Sequence, residues 1–172
     1  MTRKTEKTYF AGGCFWCMEA AFELVPGVVN ITSGYTGGLT ENPKYEQVLT
    51  GKTGHAETVE IEYDPVAVSF SKLLDLFFKV HDPGQKNRQG NDIGNQYRSA
   101  IFYTNDEQKK AAEKAIEKLK NLDNYLDIYT EISLFTKFWP AEAYHQNYFE
   151  KHPEQAYCQA IIRPKVDKFK IF

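Results

Sequence analysis

The stretch Thr8 to Leu24, TYFAGGCFWCMEAAFEL, decides the architecture, because a strand turns into a helix within it. Thr8 to Ala11 is rich in residues that favour strands, and Gly12-Gly13 closes it. A helix then runs from Cys14 to about Leu24, with Ala20, Ala21 and Leu24 at helical spacing, and ends before Pro26-Gly27. Outward from this junction, Val28 to Ser33 reads as a second strand. Glu57 to Tyr63 alternates cleanly, with Val59, Ile61 and Tyr63 on one face and Thr58, Glu60 and Glu62 on the other. Ser69 to Val80 is an amphipathic helix with Leu73, Leu74, Phe77 and Phe78 inward. Ser99 to Tyr103 reads as a strand, Glu107 to Leu119 as a helix, Thr130 to Phe135 as a strand, and Ala141 to Glu150 as a last helix stopped by His152-Pro153. The tail to Phe172 has no strong periodicity.

Two polar segments interrupt this pattern, Gly34 to Gly54 and His81 to Gln96. Loops of that length in a compact domain are usually functional or disordered. The element order lacks the repeated crossovers of a doubly wound sheet. An α+β fold is therefore expected: a two-layer α/β sandwich with long functional loops and an irregular C-terminal tail, in one domain spanning residues 1–172.

Composition narrows the function classes. A net charge of −2 argues against nucleic-acid binding, which needs clustered Lys and Arg. The lysines from Lys109 to Lys120 alternate with Glu and read as a solvated helix face. No stretch approaches the roughly 20 apolar residues of a membrane span. The segment MTRKTEKTYF lacks the apolar run of a signal peptide, so a cytoplasmic, monomeric protein is expected. Three cysteines in a reducing compartment point to redox or catalytic work rather than a disulfide framework.

Cys14 is the sharpest candidate. A thiol at a helix start faces unpaired backbone N–H groups and the positive end of the helix dipole, which favour the reactive thiolate. The two preceding glycines let the chain bend and leave the sulfur uncrowded. The alternative is a buried cysteine serving as a small hydrophobe. Cys17 shares a helix face with Cys14 at about 5–6 Å, within reach of a disulfide. Zinc is the competing use of such a pair, but no second Cys or His pair completes a ligand set, and no metal or cofactor is expected.

Glu57 shares a strand face with Val59, Ile61 and Tyr63. A carboxyl on an apolar face resists ionisation and can hold a proton near neutral pH, as a general acid must; otherwise Glu57, first in its strand, simply turns to solvent. Tyr35, Tyr45 and Tyr97, in or beside the polar loops, could donate O–H groups to a bound oxygen or could serve as packing. Cys158 lies in the tail, where a thiol can swing to another or remain inert. His55, His81, His145 and His152 show no metal spacing and read as satisfied structural histidines.

Six runs carry a resemblance to a known family: Gly13-Cys14-Phe15-Trp16; Ser33 to Gly38; Asn42 to Tyr45; Thr53 to Glu57; Gln89 to Ser99; and Ala143-Tyr144-His145-Gln146. Together, in this order and across nearly the whole chain, they resemble the A-type peptide methionine sulfoxide reductases. The resemblance implies a ferredoxin-like sandwich and reduction of methionine S-sulfoxide, protein-bound or free, with thioredoxin as reductant. It implies that Cys14 attacks the sulfoxide sulfur, that Phe15 and Trp16 wall the methyl pocket, and that Glu57 protonates the oxygen. Tyr45 and Tyr97 would donate hydrogen bonds to that oxygen and Asp92 would help organise the site. The sulfenic acid left on Cys14 would condense with a second thiol. Cys158 matches the family's frequent C-terminal recycling cysteine, whereas Cys17 occupies a position that is often Gly. Cys158 is the favoured resolving thiol and Cys17 the alternative. A thioredoxin-like disulfide oxidoreductase is the runner-up reading, and a non-catalytic redox- or metal-binding module the third.

Overall fold

The computed structural model describes residues 4–122 and 125–170. In chain order its elements are β1 (Glu6–Gly12), α1 (Phe15–Phe22), β2 (Val28–Thr36), α2 (Tyr45–Leu49), β3 (Ala56–Tyr63), α3 (Phe70–Val80), β4 (Arg88–Gln89), β5 (Asp92–Ile93), β6 (Ser99–Tyr103), α4 (Asp106–Asn121), β7 (Glu131–Leu134), β8 (Phe138–Pro140), α5 (Tyr148–Lys151) and α6 (Arg163–Phe169). Short 3₁₀ turns at Asn95–Tyr97 and Ala143–His145 and a π-helical turn at Cys158–Ile162 complete the description.

The alternation in β3 places it at the heart of the sheet. Six strands run in the order β7-β6-β1-β3-β2-β8, and β4 and β5 form a separate hairpin. Neighbours are antiparallel except β6 and β7, which are parallel and joined through α4. Phe10, Val59, Ile61 and Tyr63 face the helices and meet Met18, Phe22, Leu73 and Phe77 in one fully buried core. Burying each such side chain is worth about 1.5–3 kcal/mol. On the opposite face Tyr9, Ala11, Ala56, Ala100 and Phe102 are covered by Phe135 and Phe138, with the Tyr9 and Phe135 rings stacked at 3.9 Å. The result is the expected α+β sandwich. Side-chain caps set two helix starts: Ser69 Oγ accepts from the Lys72 N–H, and Asn105 Oδ1 from the Gln108 N–H.

Three expectations require correction. The segment Gly34 to Gly54 is not all loop: β2 continues to Thr36, and α2 starts where the Lys44 N–H donates to Gln47 Oε1 at 2.8 Å. The segment Ala141 to Glu150 is not one helix, because Asn147 is left-handed (φ 54°) and separates the 3₁₀ turn from α5. The tail is not irregular. Its π-helical turn leads into α6, whose Phe169 ring meets the Phe22 ring of α1 edge-on at 5.6 Å. Pro164 near the start of α6 has no N–H for the Ala160 carbonyl, which accounts for the wider turn before it. No helix among the described residues is long and apolar enough to cross a membrane.

Candidate active site

β1 delivers its C-terminal end directly to α1, and Gly12-Gly13 makes the bend. Gly13 has φ +96°, and a Cβ there would lie 2.8 Å from the Gln89 side chain of β4. Only glycine lets the β4–β5 hairpin come this close. Cys14 follows as the residue capping α1, its carbonyl accepting from the N–H groups of Cys17 and Met18.

Glu57 enters from β3, directly paired with Tyr35 of β2. It is only 2% exposed, which excludes the reading that it turns to solvent. Its Oε2 accepts from the Phe15 N–H, the first free donor of α1, at 3.1 Å. Burial pushes its pKa up to about 8; the Phe15 N–H opposes that rise, and the charges of Asp92 and Cys17 add to it. Glu57 therefore holds a proton at neutral pH.

Burial also dominates at the thiol, against the expectation of a ready thiolate at a helix start. The Cys14 thiol is pushed well above its ordinary value by burial, then by its neighbours Cys17 and Glu57. Cys17 is held below its ordinary value by the hydrogen bond from Cys14. Lys165 of α6 also favours the Cys17 thiolate. Cys158 is fully buried. It packs with Cys14, Cys17, Ala20, Ile162 and Val166 in one small apolar cluster, and burial and the nearby Cys17 raise its pKa. All three thiols are free.

The aromatic residues form a cage around the thiol. Phe15 is buried, with its ring 5.7 Å from Tyr35 and 5.1 Å from His145. Trp16 is half-buried and stacks on Tyr148 at 3.6 Å, with Tyr157 against it edge-on. Its indole N–H donates to His145 Nδ1 at 3.1 Å. Tyr45, at the start of α2, meets His145 edge-on at 4.4 Å. The phenols of Tyr45 and Tyr97 are raised above their ordinary value by burial and then by the charge of Glu57. Asp92 of β5 accepts from the Tyr157 hydroxyl at 2.7 Å, and that hydroxyl lies 3.9 Å from Cys17 Sγ.

Cys14, Phe15, Trp16, Cys17, Tyr45, Glu57, Asp92, Tyr97 and Cys158, named from the sequence, thus surround one place. Others were missed. Tyr148 and Tyr157 complete the cage, and only adjacency to Cys158 hinted at the second. Glu142 accepts from the Tyr35 and Tyr144 hydroxyls and the Tyr45 N–H, fastening α2 to the site. Gln146 binds the Ser33 backbone through both ends of its amide. Glu19, with a pKa pushed up to about 7 by burial, accepts from the Ser33 hydroxyl and the Tyr148 N–H. His145 is buried, and its Nε2 has no hydrogen-bond partner among the described residues. His81 does match its structural reading, bonded to the Phe77 carbonyl and the Ser99 hydroxyl. No group of three or more His, Cys, Asp or Glu side chains that could hold a metal ion is found among the described residues.

A cage of aromatic rings around a thiol and a protonated acid suits an apolar group that carries an oxygen. The sequence model of the family described as peptide methionine sulfoxide reductase matches residues 6–171. The peptide methionine sulfoxide reductase MsrA of Nautilia profundicola is 56% identical over 163 residues, 95% of this chain and 93% of the relative. Among solved structures, reduced Mxr1 from Saccharomyces cerevisiae is similar with a TM-score of 0.85 and 32% identity, covering 90% of each chain. Mxr1 in complex with Trx2 shares the fold at 23% identity and a TM-score of 0.61, over 86% of this chain and 87% of that one. With sequence model and relatives in agreement over most of its length, this chain belongs to the peptide methionine sulfoxide reductase family, A type.

Proposed function

We propose that this chain reduces methionine S-sulfoxide, free or within oxidised peptides and proteins, to methionine. The observation that carries the mechanism is Glu57: a buried carboxyl that keeps its proton at neutral pH, tied to the N–H of the residue after Cys14. Phe15 and Trp16 hold the methyl and sulfur, since thioethers pack well on aromatic rings. Tyr45 and Tyr97 donate to the sulfoxide oxygen, and Asp92 organises the site through Tyr157. The Cys14 sulfur attacks the sulfoxide sulfur while Glu57 protonates the oxygen, and the thiol proton restores Glu57. The S–O bond and the transient bond between the two sulfurs then break as the hydroxyl passes to Cys14, leaving a sulfenic acid there and freeing methionine. Substrate sulfur gains two electrons, and Cys14 sulfur loses two.

A second thiol then condenses with the sulfenic acid, forming a disulfide and releasing water. We assign this step to Cys158, with Cys17 as the alternative. Burial in the same cluster supports Cys158, and direct contact with Cys14 supports Cys17. Thioredoxin, the partner with which Mxr1 has been solved, would reduce the disulfide. The chain would act as a single monomeric domain in the cytoplasm, without a cofactor. Reduced protein mixed with excess methionine S-sulfoxide and no external reductant should release about one methionine per chain and leave one disulfide, mapped by mass spectrometry to Cys14. Absence of methionine release overturns the proposal.

A further inference from the structure

His145 has no role in the chemistry above, yet it sits inside the cage. It closes the 3₁₀ turn Ala143–His145 and has no exposed surface. The Trp16 indole can only donate, so its bond to Nδ1 leaves that nitrogen without a proton. A neutral ring must then carry its proton on Nε2. Burial lowers the pKa of this histidine and so favours the neutral form. The Nε2–H has no hydrogen-bond partner among the described residues, and aromatic rings crowd the imidazole: Tyr144 at 4.1 Å, Tyr45 at 4.4 Å, Phe15 at 5.1 Å and Trp16 at 5.7 Å. A buried donor left unsatisfied carries the cost of its lost hydration.

We propose that His145 is a positioning residue for the substrate methyl pocket: it fixes the rotation of the Trp16 indole by accepting its N–H, and holds the Tyr45 ring against the same imidazole. Trp16 is half-buried and could otherwise turn about its side-chain bonds; stacking on Tyr148 fixes its plane and the His145 bond fixes its direction within that plane. One imidazole thereby couples the wall that receives the methyl group to the hydroxyl that receives the oxygen. This inference rests on the sulfoxide reductase reading, and it assigns His145 to substrate orientation rather than to proton transfer.

Three substitutions separate this role from mere packing. His145→Phe keeps the ring and removes the acceptor; His145→Asn keeps an acceptor near the Nδ1 position; His145→Gln places one near Nε2 instead. His145→Phe should raise KM for methionine S-sulfoxide about tenfold with little change in kcat, the effect of one lost hydrogen bond. His145→Asn should recover most of that loss and His145→Gln little of it. The Trp16 indole N–H resonance, identified by its loss in Trp16→Phe, should move in His145→Phe and return toward its original position in His145→Asn. Equal KM values and an unmoved indole resonance in a folded His145→Phe protein overturn the proposal. Should that variant fail to fold, ¹⁵N spectra of the unaltered protein decide: a proton on His145 Nδ1 overturns it, and a proton on Nε2 alone supports it. These spectra need no turnover, so an inactive wild-type enzyme would refute the sulfoxide reductase reading while the histidine geometry is still judged separately.

Discussion

Replacing Glu57 by Gln exchanges the acidic O–H for an amide NH2 that cannot ionise, with little change of shape. Gln keeps the shape and an oxygen to accept the Phe15 N–H, so α1 and Cys14 stay in place. The folded carboxyl releases its proton near pH 8, against an ordinary value of 4.5. Above pH 4.5 the unfolded chain gains by ionising and the folded one does not. Glu57 therefore costs nothing below pH 4.5, and its cost grows as pH rises toward 8. From 4.5 to pH 7 is 2.5 units, and at 1.36 kcal/mol per unit the cost at neutrality is about 3 kcal/mol. Glu57→Gln should then be more stable than the wild type by roughly that amount at pH 7, with the difference nearly gone at pH 4.5. Its sulfoxide reduction should fall about 10²–10⁴-fold, the usual contribution of a general acid. Urea unfolding of both proteins at the two pH values, beside single-turnover rates, measures both effects. A stability difference that does not change with pH would mean that Glu57 is ionised in the native protein. Near-normal rates would remove it as the acid.

Cys14→Ser should abolish methionine release, and retained turnover would refute the nucleophile. Cys158→Ser should allow one turnover and block thioredoxin-linked cycling; undiminished cycling there, with its loss in Cys17→Ser, would transfer the resolving role to Cys17. The His81 ring, buried and neutral between the Phe77 carbonyl and the Ser99 hydroxyl, should stay neutral to about pH 4 when followed by NMR. Its low folded value means that this contribution to stability falls as pH drops from 6.5 toward 4, and titration near 6.5 would contradict the burial argument. Gly13→Ala should destabilise the fold by about 1–3 kcal/mol, through its positive φ and the clash with Gln89, and should lower activity by moving the hairpin that carries Asp92.

What could be read from the chain alone follows from which forces act locally. The Glu57 to Tyr63 alternation was legible because β3 lies between two strands with one face on the helices, so period two maps onto burial. The inward direction of Glu57 came from the same parity. Ser99 to Tyr103 was bounded correctly because five consecutive residues serve a central strand. The tail reads as irregular because it lacks strong periodicity, whereas packing of Ile162, Val166 and Phe169 against α1 supplies the helix. The break at Asn147 was hidden because a left-handed residue other than glycine leaves little compositional mark. The protonated resting thiol was missed because the dipole at a helix start is visible in sequence, while the depth of burial opposing it is not. His145 shows the same limit: the residue was in a quoted motif, but an orphaned Nε2 exists only in three dimensions.

Met18 projects from α1 into the core, 1% exposed, with its sulfur close beneath Gly12 at the β1 bend. It is the only methionine among the described residues; the chain's other is Met1. Burial shields this sulfur from oxidants in solution, since oxidation follows exposure. The scaffold beneath the reactive thiol therefore offers no accessible copy of the group that the proposed reaction consumes. It neither competes with outside substrates for Cys14 nor accumulates the damage that the reaction would reverse.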